Sequence, residues 1–104
     1  MDKVYRIFVE KRIPFAAGLA GGSADAAAVL LALNRHEGNP FSADDLASLG
    51  AKIGSDVPFC VMGGTALVGG RGESIQSVAS MPDCFYCIAM PDFAMSTAEV
   101  YERF

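Results

Sequence analysis

One stretch of this 104-residue chain combines residue types that could hold an anion. Between Pro14 and Ala27 the chain is rich in glycine and alanine, and it connects a strand-like segment to an alanine-rich, helix-like one. Glycines adopt positive φ angles and let the backbone approach a ligand closely, and the free N–H groups at a helix start favour an anion such as phosphate. Ser23 could add a hydroxyl to a phosphate oxygen or to bound magnesium. A tight turn beneath a packed helix explains the same composition.

The two common nucleotide-binding fingerprints do not fit this loop. No Gly-Lys-Ser/Thr follows it, as a P-loop requires. The spacing of Gly18, Gly21 and Gly22 also departs from the Gly-x-Gly-x-x-Gly of dinucleotide sites. Asp25 counts against a phosphate, because a carboxylate repels polyphosphate unless a cation lies between them.

A second candidate site lies at residues 55–60. Asp56 follows the end of a predicted helix and precedes Pro58. Its carboxylate could accept the proton of a substrate hydroxyl, as the base does in phosphoryl transfer. Alternatively, Asp56 caps a short helix that has Pro58 in its first turn. The residues alone leave both interpretations open.

Composition excludes several functional classes. The chain is 52% hydrophobic and only 19% charged, which is too apolar for a disordered protein. Its net charge of -4 and the lack of a basic cluster argue against nucleic-acid binding. The longest purely apolar run, Ala26 to Leu33, is far shorter than the roughly 18 residues that span a bilayer.

Cysteine usage predicts reduced thiols in a cytoplasmic protein. The three cysteines are Cys60, Cys84 and Cys87, and no secretory signal precedes them. Cys84 and Cys87 would point to opposite faces of a buried strand. A zinc site would need two further ligands, for which Cys60 and His36 are the only candidates, so no metal site is predicted.

Hydrophobic periodicity and capping residues predict alternating strands and helices. The first helix should begin at the N-cap Ser23, carry Asp25 in its first turn and be buried on most sides. Ser42 should cap the next helix in a capping-box pattern with Asp45, and Gly54 should end it. The predicted strands are Val4–Arg12, Val61–Val68, Glu73–Val78 and Cys84–Met90, the middle two joined in a hairpin, and a last helix begins at Ser96 or Thr97.

Several motifs together resemble the GHMP kinases. Lys11–Pro14 followed by Ala17–Ala28 is similar to the phosphate-binding loop of that family. The further stretches that fit, in the same order and at similar gaps, are Gly54–Phe59, Gly63–Leu67, Gly70–Glu73 and Ser96–Tyr101.

The resemblance implies specific roles for residues of both sites. Asp56 would be the catalytic base that takes the proton of an acceptor hydroxyl, and Thr97 would lie near the active-site cleft. Ala24 stands where many members have a second serine, and no lysine here matches the family's catalytic lysine. ATP, with Mg²⁺ nearby, would be held by Pro14, Phe15, Ala16, Ala17, Gly18, Leu19, Ala20, Gly21, Gly22, Ser23 and Ala24.

The resemblance also implies the fold and the domain organisation. It predicts an α+β protein, with residues 1–81 forming the later part of a two-layer ATP-binding N-terminal domain that has a left-handed β-α-β crossover. Residues 82–104 would form the first strand and helix of the C-terminal domain. We therefore expect an internal portion of a small-molecule kinase that has little activity alone and that self-associates through apolar surfaces. The alternatives are a non-catalytic nucleotide- or anion-binding module and a family member with another acceptor, such as homoserine kinase.

Overall fold

The computed structural model describes residues 2–15 and 17–104. Within these ranges it combines helices with a two-stranded antiparallel sheet, which agrees with the predicted α+β class. None of the helices in them is long and apolar enough to cross a membrane. The elements in chain order are α1 (Gly21–His36), α2 (Ala43–Ala51), α3 (Val57–Met62), β1 (Ala66–Gly69), β2 (Ser74–Ser77) and α4 (Thr97–Arg103).

The core is a small cluster where the first three helices meet. Ala27 of α1, Leu46 of α2, and Val57 and Val61 of α3 are buried together. A Cβ atom built on Gly50 would lie only 2.7 Å from Cγ1 of Val57. Glycine at position 50 therefore lets α2 and α3 pack closely, and this packing orients the Asp56 segment that precedes α3.

Helix α1 begins three residues earlier than predicted. Its N-cap is Ala20, which adopts a left-handed conformation with φ of 52°, and the helical hydrogen bonds start with the Ala24 N–H donating to the Ala20 carbonyl at 2.9 Å. The prediction of Ser23 as N-cap is wrong, and Asp25 lies beyond the first turn. Burial on most sides is also wrong, because α1 buries only one face, with Ala27 and Asn34 its buried residues.

Helix α2 confirms the predicted capping box. The Ser42 hydroxyl accepts a hydrogen bond from the Asp45 N–H at 3.1 Å, and the Asp45 carboxylate accepts one from the Ser42 N–H at 3.1 Å. These bonds involve residues three apart, so local sequence is sufficient to specify them. The helix ends at Ala51, before the predicted Gly54.

The predicted hairpin forms, but with shorter strands. Ala66 pairs with Ser77 and Gly69 with Ser74, around the glycine-rich turn. The predicted start of the first strand at Val61 is wrong because Val61 and Met62 belong to α3. Val61 is buried in the core formed by helices α1, α2 and α3, and this burial favours the helix over a strand.

Two predicted strands, Val4–Arg12 and Cys84–Met90, are not formed. A strand is stabilised by hydrogen bonds to a neighbouring strand, and neither segment has such a neighbour among the described residues. Residues 4–12 instead run alongside α1, where Tyr5 contacts His36 edge-to-face with ring centroids 5.9 Å apart. Cys84–Met90 is exposed, contrary to the predicted buried strand, and all three cysteines are free.

Candidate functional site

The glycine-rich loop before α1 has an open face. Gly18 has φ of +70° and is followed two residues later by the left-handed Ala20. No described atom lies within 4 Å of a Cβ built on Gly18 or on Gly22. A ligand could therefore approach the backbone at both positions without displacing protein atoms.

The start of α1 presents three backbone donors that bind no described residue. The N–H groups of Gly21, Gly22 and Ser23 precede the first intrahelical hydrogen bond, which Ala24 donates. No side chain caps this helix start. Three neighbouring donors at the positive end of a 16-residue helix suit an anion with several oxygens, such as a phosphate.

Asp25 is paired with a cation from the preceding segment. The Lys11 ammonium donates to the Asp25 carboxylate and forms an ion pair with it. The same ammonium lies 5.3 Å from the centre of the Phe15 ring, within cation–π range. The negative charge that argued against a phosphate near this loop is therefore balanced by Lys11.

Asp56 occupies the N-cap position of α3 without capping it through its side chain. Its backbone is helical, with φ of -89°, and its carbonyl accepts a hydrogen bond from the Cys60 N–H at 3.1 Å. The carboxylate makes no capping bond to α3 and is exposed. Burial, and secondarily this carboxylate, raise the pKa of the Cys60 thiol. Asp56 thus begins a helix as the capping interpretation predicts, while its carboxylate remains available for other contacts.

The segment that leads to Asp56 passes near the start of α1. The Ser23 hydroxyl oxygen lies 3.9 Å from a Cβ built on Gly54, two residues before Asp56. On the other side, the hairpin turn reaches Ser55, whose carbonyl oxygen would lie 1.9 Å from a Cβ built on Gly72. The residues before Asp56 therefore lie close both to Ser23 of α1 and to the hairpin turn.

A cavity of about 470 Å³ lies against the other side of the glycine-rich loop. Its lining combines residues of the loop with residues of the segment 88–100, among them Asp92 and Thr97. The loop residues are Pro14, Phe15, Ala17, Gly18 and Leu19. Thr97 lines this cavity, and its place near the active-site cleft stays a prediction. The wall that includes Asp92 and Phe93 was not predicted, since nothing in the local pattern marks it. Neither Ser23 nor Asp56 lines this cavity.

Three further positions were predicted to bind phosphate. Leu19 lies with the loop residues at the cavity, and Ala24 is exposed within the second turn of α1. Ala16 falls outside the described residues.

Comparisons with known proteins agree on one family. A family model described as GHMP kinases N terminal domain matches residues 2–64. A protein of Bacillus velezensis is 57% identical over 103 residues, which cover 99% of this chain and 36% of that protein. One from Bacillus subtilis is 58% identical over 101 residues, covering 97% and 35%, and one from Exiguobacterium sibiricum is 53% identical over 95 residues, covering 91% and 33%.

These three relatives bear the name 4-diphosphocytidyl-2-C-methyl-D-erythritol kinase. The chain spans about a third of their length.

Proposed function

The chain belongs to the GHMP kinase family, and we propose that it carries the phosphate-binding loop and the catalytic base of an ATP-dependent small-molecule kinase. The proposed acceptor is the 2-hydroxyl of 4-diphosphocytidyl-2-C-methylerythritol, in non-mevalonate isoprenoid biosynthesis. The names and the 53–58% identities of the relatives above support this acceptor.

One observation carries the ATP part of the proposal. The N–H groups of Gly21, Gly22 and Ser23 have no side-chain cap, and the loop that precedes them is open at Gly18, as α1 is at Gly22. The triphosphate of ATP supplies the oxygens that such donors bind. Residues 14–24 would hold it mainly through the backbone, so alanine at position 24 in place of serine leaves most contacts intact.

Magnesium would bind together with ATP rather than to a protein cluster. Among the described residues, no three His, Cys, Asp or Glu side chains come together to hold a metal. Mg²⁺ commonly keeps its waters and takes phosphate oxygens plus one or two protein ligands, and the Ser23 hydroxyl is the proposed protein ligand. When bound, the ion neutralises charge on the phosphates.

Asp56 is the proposed base. Its carboxylate makes no capping bond to α3 and belongs to the segment held against Ser23. In this role it would orient the acceptor hydroxyl and accept its proton as the oxygen attacks the terminal phosphate. The remainder of catalysis would be positioning and charge stabilisation.

The finer fold and the domain boundary are also proposals. We place residues 1–81 in the ATP-binding domain, with a left-handed β-α-β crossover, and residues 82–104 at the start of a second domain. The exposed apolar side chains of residues 4–12 and 84–90 support self-association of this chain.

A segment exchange tests the proposed reaction. The 101 aligned residues of this chain would replace the matching segment of the Bacillus subtilis relative, and phosphorylation of 4-diphosphocytidyl-2-C-methylerythritol would be measured. We expect turnover by the chimera, and a loss of several orders of magnitude in kcat with Asp56→Asn while ATP affinity is largely retained. The matched control is Asp83→Asn, another exposed aspartate, which should leave kcat unchanged.

Other outcomes would identify the alternatives. ATP binding without turnover of any acceptor would favour a non-catalytic nucleotide-binding module. Turnover of homoserine in preference to the cytidyl substrate would reassign the acceptor. If the chimera with Asp56→Asn retains full kcat, Asp56 is not the catalytic base and serves only at the N-terminus of α3.

A further inference from the structure

We propose that Lys11 is a positioning residue that balances the charge of Asp25, so that a polyphosphate can bind at the start of α1. The inference rests on the proposed phosphate-binding function and extends it to a residue that precedes residues 14–24, the positions proposed to hold ATP. It assigns Lys11 an electrostatic role that acts through Asp25 rather than through the phosphate itself.

The first observation is the position of Asp25. It is the fifth residue of α1, one turn beyond the N–H groups of Gly21–Ser23. An unbalanced carboxylate there would repel a triphosphate over a distance at which Coulomb interactions remain substantial. Since the Lys11 ammonium pairs with this carboxylate, the local charge is close to neutral before any ligand arrives.

The second observation is that two contacts fix the Lys11 ammonium. It binds Asp25 and also lies 5.3 Å from the centre of the Phe15 ring in the glycine-rich loop. Its side chain is 27% exposed, compared with 64% for that of Lys3. A lysine held in this way keeps its charge near Asp25 without needing a phosphate to order it.

The chain contains a matched ion pair at the opposite end of the same helix. Lys3 binds Glu37, which directly follows the last residue of α1. A 16-residue helix is about 24 Å long, well beyond the Debye length at physiological ionic strength. Lys3 and Glu37 therefore serve as controls for changes of net charge and for loss of a surface ion pair.

The test is a double-mutant cycle on tripolyphosphate binding, measured by calorimetry at fixed ionic strength with the full chain. We expect Lys11→Met to weaken tripolyphosphate binding roughly tenfold, because the Asp25 carboxylate would then repel the ligand as an unbalanced unit charge. Asp25→Asn alone should leave affinity unchanged or tighten it. Combining Lys11→Met with Asp25→Asn should restore affinity to within a few-fold of the wild type, whereas Lys3→Met should have little effect.

The opposite pattern would overturn the inference. If the double variant binds as weakly as Lys11→Met, the lysine contacts the phosphate directly or orders the loop, and Asp25 is not the reason for its presence. Wild-type affinity in Lys11→Met would also overturn it. Lys11→Arg keeps the charge and should bind tripolyphosphate like the wild type. Circular dichroism of each variant shows whether the fold is retained. If Lys11→Met does not fold, Lys11→Gln replaces it in the cycle.

Failure of the proposed function gives a different result. In that case neither tripolyphosphate nor Mg–ATP binds the wild-type chain, and the inference about Lys11 falls with it. If the wild type binds and only the recovery in the double variant is missing, the proposed function stands and the role of Lys11 alone is refuted.

Discussion

Gly72 lies directly against the backbone of Ser55, the residue before Asp56. A Cβ atom at position 72 would be 1.9 Å from the Ser55 carbonyl oxygen and 2.7 Å from its carbonyl carbon. Gly72 also has φ of +109° and is buried, although the residues around it are exposed. The hairpin turn therefore packs on the segment that carries the proposed base, and only glycine fits this contact.

Replacement of Gly72 by alanine should destabilise the protein. The added methyl group meets backbone atoms, which cannot move aside as the end of a flexible side chain can, and the positive φ adds strain. We expect a loss of about 2 kcal/mol or more in the free energy of unfolding, measured in urea. The control is Gly69→Ala, because a Cβ there is 3.8 Å from the nearest described atom, an ordinary contact. Equal stability of the two variants would refute the close packing on Ser55.

Replacement of Ala20 by glycine should stabilise the chain. Ala20 is an L-residue held at φ of 52°, a conformation that costs more for alanine than for glycine. Relief of this strain should outweigh the added flexibility of the unfolded chain, with a net gain of about 0.5 kcal/mol. Ala24→Gly makes the same chemical change inside α1 and should instead cost up to about 1 kcal/mol. A loss of melting temperature in both variants would contradict the left-handed N-cap.

The capping box of α2 should make stability depend on acid pH. Hydrogen bonds from the Ser42 hydroxyl and, secondarily, from its backbone N–H lower the pKa of Asp45 below its ordinary value of 3.8. A lowered folded-state pKa means that this contribution is complete above the unfolded pKa and is lost as pH falls through the folded one. The stability difference between wild type and Asp45→Asn should therefore shrink as pH falls below about 4. Thermal unfolding of both proteins between neutral and strongly acid pH measures this stability difference. A difference that stays constant with pH would show that the Asp45 carboxylate does not contribute through the cap.

Loss of the Ser42 hydroxyl provides a second test of the same cap. Ser42→Ala should reduce the free energy of unfolding by about 1 kcal/mol at neutral pH. The hydroxyl is the main cause of the lowered pKa of Asp45, so in this variant the pKa of Asp45 should lie closer to its ordinary value. Ser48→Ala, an exposed serine inside the same helix, is the control and should have little effect.

Self-association should depend on the exposed apolar segment at residues 84–90. The Phe85 side chain is fully exposed, and the segment pairs with no strand among the described residues. Light scattering of the wild type should give a mass above that of the 10.9 kDa chain, and Phe85→Lys should lower it. Phe104→Lys is the control, since Phe104 is equally exposed but follows α4. A monomeric wild type at high concentration would refute the proposal.

Structures fixed by neighbouring residues were predicted best. The capping box of Ser42 and Asp45, the first helix and the hairpin around residues 69–72 each depend on contacts within a few positions. Local pattern nevertheless misplaced the start of α1, because serine is the better capping residue while the observed cap is a left-handed alanine. It also misassigned Val61, whose apolar character suits a strand and a buried helix equally.

The sequence by itself determined the glycine-rich composition of residues 14–24, the position of Asp56 and the resemblance to a kinase family, because these depend on residue type and spacing. Only the tertiary structure decided which of these residues meet. It placed Lys11 on Asp25, Gly72 on Ser55 and residues 88–100 across a cavity from the loop. Residues 4–12 and 84–90 have strand-like sequences and are not strands here, since backbone pairing requires a partner that the sequence of a segment does not contain.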